Sequence, residues 1–211
     1  MRAKGKLKKG SSGYNLATLQ LVGVAGNKRP ATLPQKVMSM SNRNLFVLLC
    51  ILIATFAFGQ TAQKSAHADI VNAQGQKIGT AIFSPAGGGV KIDVDVAQLP
   101  PGTHGIHIHA VGKCEGPDFK SAGGHLNPNA KEHGKDNPKG PHAGDLMNIE
   151  VDAGGQAKAS LSDSLATLGG GPNSLFHEGG SALVIHEKAD DYKTDPAGNS
   201  GARIACGVIQ Q

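Results

Sequence analysis

The sequence predicts an all-β protein, an antiparallel eight-stranded Greek-key barrel or sandwich with two long functional loops. Three observations carry this. Short segments alternate apolar and polar residues. Gly is abundant, at 30 of 211 residues, and Trp is absent. Two long stretches interrupt the alternating series without a pattern of their own. Alternation marks half-buried strands, because successive strand side chains point to opposite faces. Abundant Gly argues against a helical bundle, since each one inside a helix costs about 1 kcal/mol against Ala.

The strands follow in chain order. Ala66, Ala68 and Ile70 alternate up to a turn at Gln74-Gly75. Ile78, Thr80 and Ile82 come next, closed by Ser84-Pro85 and Gly87-Gly88-Gly89. Val90, Ile92, Val94 and Val96 give the cleanest alternation, ended by Pro100-Pro101-Gly102. His104 to Val111 reads as a fourth strand. Met147 to Val151 and Ala157 to Leu161 flank the turn Asp152-Ala153-Gly154-Gly155. Ala182 to Ile185 and Ala202 to Ile209 complete the series, and an antiparallel sandwich or barrel is the natural packing for it. The two exceptions are residues 112–145 and 187–201, rich in Gly, Pro, Asn and Lys. Loops this long in a compact domain are usually functional.

Charge divides the chain. Nine of the 21 Lys and Arg precede Lys64, and no Asp or Glu does. From Lys64 onward 12 Lys or Arg face 16 Asp or Glu. The basic balance belongs to the N-terminal segment, so the domain offers no bulk charge for nucleic acid. Leu45 to Phe58 is apolar except for Thr55. It is too short for a membrane-spanning helix, which needs about 20 residues, and it follows a basic stretch as a signal-peptide core does. An uncleaved anchor is the alternative. The expected organisation is a basic extension or misassigned start over residues 1–37, a signal peptide over 38–62, and one domain over 63–211. Membrane contact is expected only through the signal segment. With Cys50 removed alongside the signal, Cys114 and Cys206 remain. An even pair in an exported domain suggests one disulfide, two free thiols being the alternative.

Eight of the nine His lie between His104 and His186. His107 and His109 flank Ile108, so on a strand their imidazoles share a face while Ile106 and Ile108 enter the core. Such a pair is a two-ligand start for a metal and, alone, equally compatible with exposed polar positions. The first long loop adds His125, His133, His142 and Asp145, four groups within 21 positions. Three imidazoles and a carboxylate make a complete tetrahedral zinc set. His186 closes the last clear strand before the second loop. Folded against His107 and His109 it gives a third imidazole, and one more nitrogen would suit copper.

Gly105-Ile106-His107-Ile108-His109 resembles the copper signature of the copper,zinc superoxide dismutases, and the likeness to the bacterial type extends from about Ala66 to Ile209. Residues 122–128 (AGGHLNP), 142–146 (HAGDL), 186–191 (HEKADD) and 198–209 (GNSGARIACGVI) resemble further blocks of that family. The resemblance implies dismutation of superoxide anion to oxygen and hydrogen peroxide, with one copper and one zinc per subunit. It implies copper ligands His107, His109, His125 and His186, and zinc ligands His125, His133, His142 and Asp145, with His125 bridging. It implies Asp190 as a carboxylate linking a copper ligand to a zinc ligand, Cys114–Cys206 as the disulfide, and Arg203 as a catalytic guanidinium beside the copper, with His125 catalytic as well. Lys188 and Lys193 are candidates for a positive rim, weighed equally against plain solubility. His104 is expected to make a structural hydrogen bond. The implied setting is antioxidant defence in the periplasm or outside the cell, with a homodimer as one possible assembly. A metal-handling relative without turnover and a purely structural zinc sandwich are the competing readings.

Overall fold

The computed structural model describes residues 65–211; the basic extension, the signal segment and Cys50 lie outside the described residues. Nine strands are present: β1 Ala66–Asn72, β2 Lys77–Ala86, β3 Gly89–Val96, β4 Gly102–His104, β5 Ile106–His109, β6 Ile149–Val151, β7 Ala157–Asp163, β8 Ala182–His186 and β9 Arg203–Val208. Seven form one sheet in the order β5-β8-β9-β1-β2-β3-β7, and β4 pairs with β6. Every pairing between these strands is antiparallel. β5 and β7 stand at opposite ends of the large sheet, yet Ile108 and Leu161 belong to one buried cluster. The sheet therefore curls around its own core, as the alternation predicts.

Local chemistry sets the turns. Gly87 and Gly88 are the two loop residues between Ala86 and Gly89, and both have positive φ (+56° and +95°). The type I′ two-residue hairpin, whose twist matches its strands, requires positive φ at both positions. Asp152 Oδ1 accepts the N–H groups of Gly154 and Gln156 (both 2.9 Å) and closes the β6–β7 turn.

The expected fourth strand, His104 to Val111, is two strands in two different pairings. Gly105 divides them. Its N–H donates to the Lys188 carbonyl and its carbonyl accepts from the His186 N–H (both 2.8 Å), so the chain leaves β6 there and joins β8. A Cβ on Gly105 would stand 3.0 Å from the Ser200 Cβ. The outer edge of β5 is then covered by the first long loop: Leu126 N–H donates to the Ile108 carbonyl, and Ile108 N–H to the Gly144 carbonyl (both 2.8 Å).

Cys114 and Cys206 form a disulfide with a sequence separation of 92, as expected. It ties the loop to β9 over a second small core of Phe119, Ala122, Ala182 and Val184. Closing a loop of that length stabilises by roughly 2–5 kcal/mol in the chain-entropy picture.

Asp163, at the end of β7, is an acid buried on the core side. Its Oδ1 accepts the Leu165 and Ala166 N–H groups (2.8 and 3.1 Å), while Oδ2 is buried with no partner. Burial pushes its pKa up to about 6 against those two hydrogen bonds. A raised carboxyl pKa means the folded state holds the proton more tightly than the unfolded chain. Its stabilising contribution is present below about pH 4 and is lost as pH rises through about 6. Asp163→Asn keeps the Oδ1 acceptor and removes the charge. Its melting temperature should exceed that of the parent by several degrees at pH 7.5 and converge on it at pH 4; an equal difference at both pH values would contradict the reading.

Candidate metal centre

The strand alternation that buries Ile106 and Ile108 turns His107 and His109 to the opposite face, where both are also buried. His186, at the end of β8, meets them; its ring centroid is 4.8 Å from that of His107. The loop covering the β5 edge delivers His125, whose ring lies 4.2 Å from His107 and 4.9 Å from His109. The four offer ring nitrogens within 4.8 Å of one another.

Hydrogen bonds fix which nitrogen faces inward. His107 Nε2–H donates to Asp190 Oδ2 (2.7 Å), His109 Nδ1–H to the Gly123 carbonyl (2.9 Å) and His186 Nδ1–H to the Gly201 carbonyl (3.4 Å). The opposite nitrogens, His107 Nδ1, His109 Nε2 and His186 Nε2, are buried without a hydrogen-bond partner, as is His125 Nε2. Burying an unpaired polar atom costs on the order of 1–3 kcal/mol, and four such nitrogens converge on one point. Metal–nitrogen bonds of about 2.0–2.1 Å place opposed ligands about 4 Å apart, so the set fits a four-coordinate nitrogen-bound ion. Desolvation, followed by charge repulsion from neighbouring imidazoles, pushes His109 down to about 2 and His186 to about 3. Desolvation likewise holds His125 at about 4, although Asp145 opposes it. These three rings are neutral at physiological pH, the form that binds metal.

The second set adjoins the first through His125. Asp145 Oδ1 lies 2.9 Å from His125 Nδ1, 3.0 Å from His133 Nδ1 and 3.3 Å from His142 Nδ1, and the Nδ1 atoms of His142 and His125 are 3.3 Å apart. Tetrahedral zinc with bonds of about 2.0–2.1 Å has ligand–ligand edges of about 3.3 Å. The donor set and its spacing fit zinc. Asp145 Oδ2 accepts the N–H groups of Gly134 (2.8 Å) and His142 (3.0 Å). Burial opposes ionisation of Asp145, but the three imidazoles and the Gly134 N–H outweigh it and hold its carboxyl well below the usual range.

Asp190 links the sets: Oδ2 accepts from His107 and Oδ1 from His133 Nε2–H (3.0 Å). Burial works against the charge of His133, but Asp145 and Asp190 raise its pKa to about 9. Asp190 is held by Asn148, which accepts its N–H (2.9 Å) and donates to its carbonyl (3.0 Å). Gly198 permits this arrangement. Its φ is +60°, and a Cβ there would stand 2.8 Å from His133 Nε2 and closer still to Asp190 Oδ1. Gly198→Ala should therefore displace Asp190 and weaken zinc retention by about 10–100-fold, the usual size of an effect on groups that orient ligands. Competition with a chromophoric chelator would measure it; unchanged affinity would remove Asp190 from that role.

Arg203 opens β9. Its Nη1 donates to the Phe119 carbonyl (2.7 Å) and Nη2 to the Gly123 carbonyl (2.6 Å), so one carbonyl holds both Arg203 and His109. The guanidinium lines an open cleft of about 470 Å³ with His109, His125 and His186 at its base and Lys131, Asn127 and Asp195 among its walls. His107, His109, His125, His133, His142, Asp145 and His186 thus fall in the two sets, Asp190 links them, Arg203 lines the cleft beside them, and Cys114 and Cys206 form the disulfide. Lys188 and Lys193 do not line the cleft; Lys131 does. Nothing in the spacing of Lys131 or Asp195 marked them, because their approach depends on how two loops fold over each other. His104 meets its expectation, with its ring nitrogens 2.7 Å from the His186 carbonyl and 2.8 Å from the Pro100 carbonyl.

A curled antiparallel barrel with two abutting buried histidine sets defines a candidate dinuclear metal-binding β-protein. The model of the family "Copper/zinc superoxide dismutase (SODC)" matches residues 77–209, and the chain belongs to that family. It is similar to "Superoxide dismutase [Cu-Zn] 1" of Aquifex aeolicus, 51% identical over 77% of this chain and 96% of that one. Among solved structures it is similar to a P104H mutant of a SOD-like protein from Bacillus subtilis, with a TM-score of 0.67 and 44% identity over 69% of this chain and 97% of that one. A copper/zinc superoxide dismutase from Brucella abortus gives a TM-score of 0.58 and 30% identity over 70% and 100%.

Proposed function

We propose that the chain dismutates superoxide to oxygen and hydrogen peroxide, with copper held by His107, His109, His125 and His186 and zinc held by His125, His133, His142 and Asp145. The observation that carries this is the convergence of four buried, unpartnered imidazole nitrogens beside a complete three-histidine, one-carboxylate set that shares His125. When bound, copper supplies the one-electron couple through which one superoxide is oxidised and a second is reduced.

The protein's own residues do the rest. His107 and His109 are locked in orientation by Asp190 and the Gly123 carbonyl, which turns His107 Nδ1 and His109 Nε2 inward. His125 presents Nδ1 to one set and Nε2 to the other, so its Nε2 is placed to take up and pass on a proton at the cleft floor. Arg203 carries a fixed positive charge into the cleft, held by two carbonyls, and offers paired N–H donors to a small anion. The four imidazoles of the copper set are each at most 9% exposed. Asp190 and Asn148 orient ligands rather than touch substrate.

A metal-handling role without turnover is the competing reading. It leaves the placement of Arg203 in an open cleft without a purpose. We further place the protein in the periplasm or outside the cell, on the apolar stretch Leu45–Phe58 behind a basic segment and on the disulfide, which persists in oxidising compartments.

The test is decay of superoxide by pulse radiolysis with the protein in zinc-only and copper-plus-zinc forms. Fast decay that appears only with copper supports dismutation. Stoichiometric binding of both metals without decay would move the protein to the metal-handling class. Fractionation of cells carrying a tagged full chain tests export.

A further inference from the structure

We infer that Lys131, presented by an Asn127-bracketed turn, is the cation that draws anionic substrate into the cleft. The inference rests on the dismutase reading and adds a residue to it. Asn127 Oδ1 accepts the Lys131 N–H (2.9 Å), and Asn127 Nδ2 donates to the Lys131 carbonyl (2.8 Å). These two hydrogen bonds fix the Asn127–Lys131 turn beside the cleft, with Ala130 in the left-handed region (φ 49°). Both residues line the cleft with Arg203.

The surrounding charges leave Lys131 free to act. Lys77, Lys91, Lys120, Lys135, Lys139 and Lys158 each make an ion pair, whereas none among the described residues engages Lys131. The adjacent acid, Glu132, is taken up by Lys139 Nζ (2.8 Å) and Asn137 Nδ2 (3.1 Å). Asp195 is the one acid lining the cleft. Its Oδ1 accepts the His133 N–H (2.6 Å) and lies 3.8 Å from His142 Nε2. Lys131 offsets that charge and leaves Arg203 as the excess. Without it the cleft carries one acid and one base, and its pull on a monoanion falls. Clefts lined by one sign of charge raise encounter rates by about 10–10³; this cleft, with two cations against one acid, is net positive, and the surplus depends on Lys131.

The test compares the copper- and zinc-loaded parent with Lys131→Gln, Lys131→Glu and Lys131→Arg, using Lys193→Gln as control. At low ionic strength the superoxide rate constant should fall about 2–5-fold in Lys131→Gln and further in Lys131→Glu, and return in Lys131→Arg. The salt dependence should flatten in the Gln variant, because screening at 0.1 M reaches over about 10 Å. The affinity for azide, read from the visible spectrum of the copper(II) protein, should weaken in the same order without any turnover. Equal rates, salt slopes and azide affinities in parent and Lys131→Gln would overturn the inference, as would an equal loss in Lys193→Gln. A parent with no dismutase activity would sink the dismutase reading instead, and the azide series alone would then decide whether Lys131 draws anions.

Discussion

Replacing His107 with Ala should lower superoxide turnover to the background of the metal-free protein, a loss of at least about 10³-fold, while the fold and most zinc binding survive. His107 contributes one of four inward nitrogens, and the position is buried at 0% exposure, so Ala there leaves a gap in the set where the imidazole stood. Three nitrogens would remain to hold copper, so turnover would be lost before all metal binding is. His107 also donates to Asp190, whose other oxygen orients His133. Zinc affinity should therefore fall by no more than the 10–100-fold typical of losing an orienting partner. Metal analysis together with superoxide decay separates the two effects. Retained turnover would show that the copper set does not require His107.

Asp145→Ala should have the larger effect on stability. Asp145 closes the second set through Oδ1 and holds the Gly134 and His142 N–H groups through Oδ2. Without metal, the variant strands those two donors at about 1–3 kcal/mol each when buried. It also removes the negative charge beside three imidazoles. With zinc held as proposed, it would lose a ligand of a site whose binding energy is folding energy. At about 2–4 °C per kcal/mol for a domain of this size, the zinc-loaded melting temperature should drop by about 10 °C or more, and the metal-free value by less. Calorimetry on both forms checks this. An equal drop with and without zinc would mean that Asp145 serves the loop and not the metal.

Much of the site was legible in the chain because strand periodicity and short spacings are local properties. His107 and His109 had to share a face once Ile106 and Ile108 were assigned to the core. His125, His133, His142 and Asp145 were gathered on one loop. Other features were not legible. The division of His104–Val111 into β4 and β5 follows from Lys188 and His186, which claim both backbone groups of Gly105 from more than 80 positions away. The lysine that lines the cleft is Lys131 and not Lys188 or Lys193, since which lysine reaches the opening depends on the packing of two loops that carry no period. Asp163 gave no sign in sequence of an unpaired, buried carboxyl oxygen.

By itself, then, the sequence determined most of the strand series, the candidate metal-binding residues, the cysteine pair and the family resemblance, because those are carried by residue type and spacing along one chain. The tertiary structure alone decided which nitrogen of each imidazole faces inward. That choice is made by partners such as the Gly123 and Gly201 carbonyls and the Asp190 carboxylate, which approach from elsewhere in the fold. It likewise decided the position of Arg203 over the cleft and the surplus of positive charge there. Hydrogen-bond direction and net field depend on distances between segments remote in sequence, and only the folded chain sets those distances.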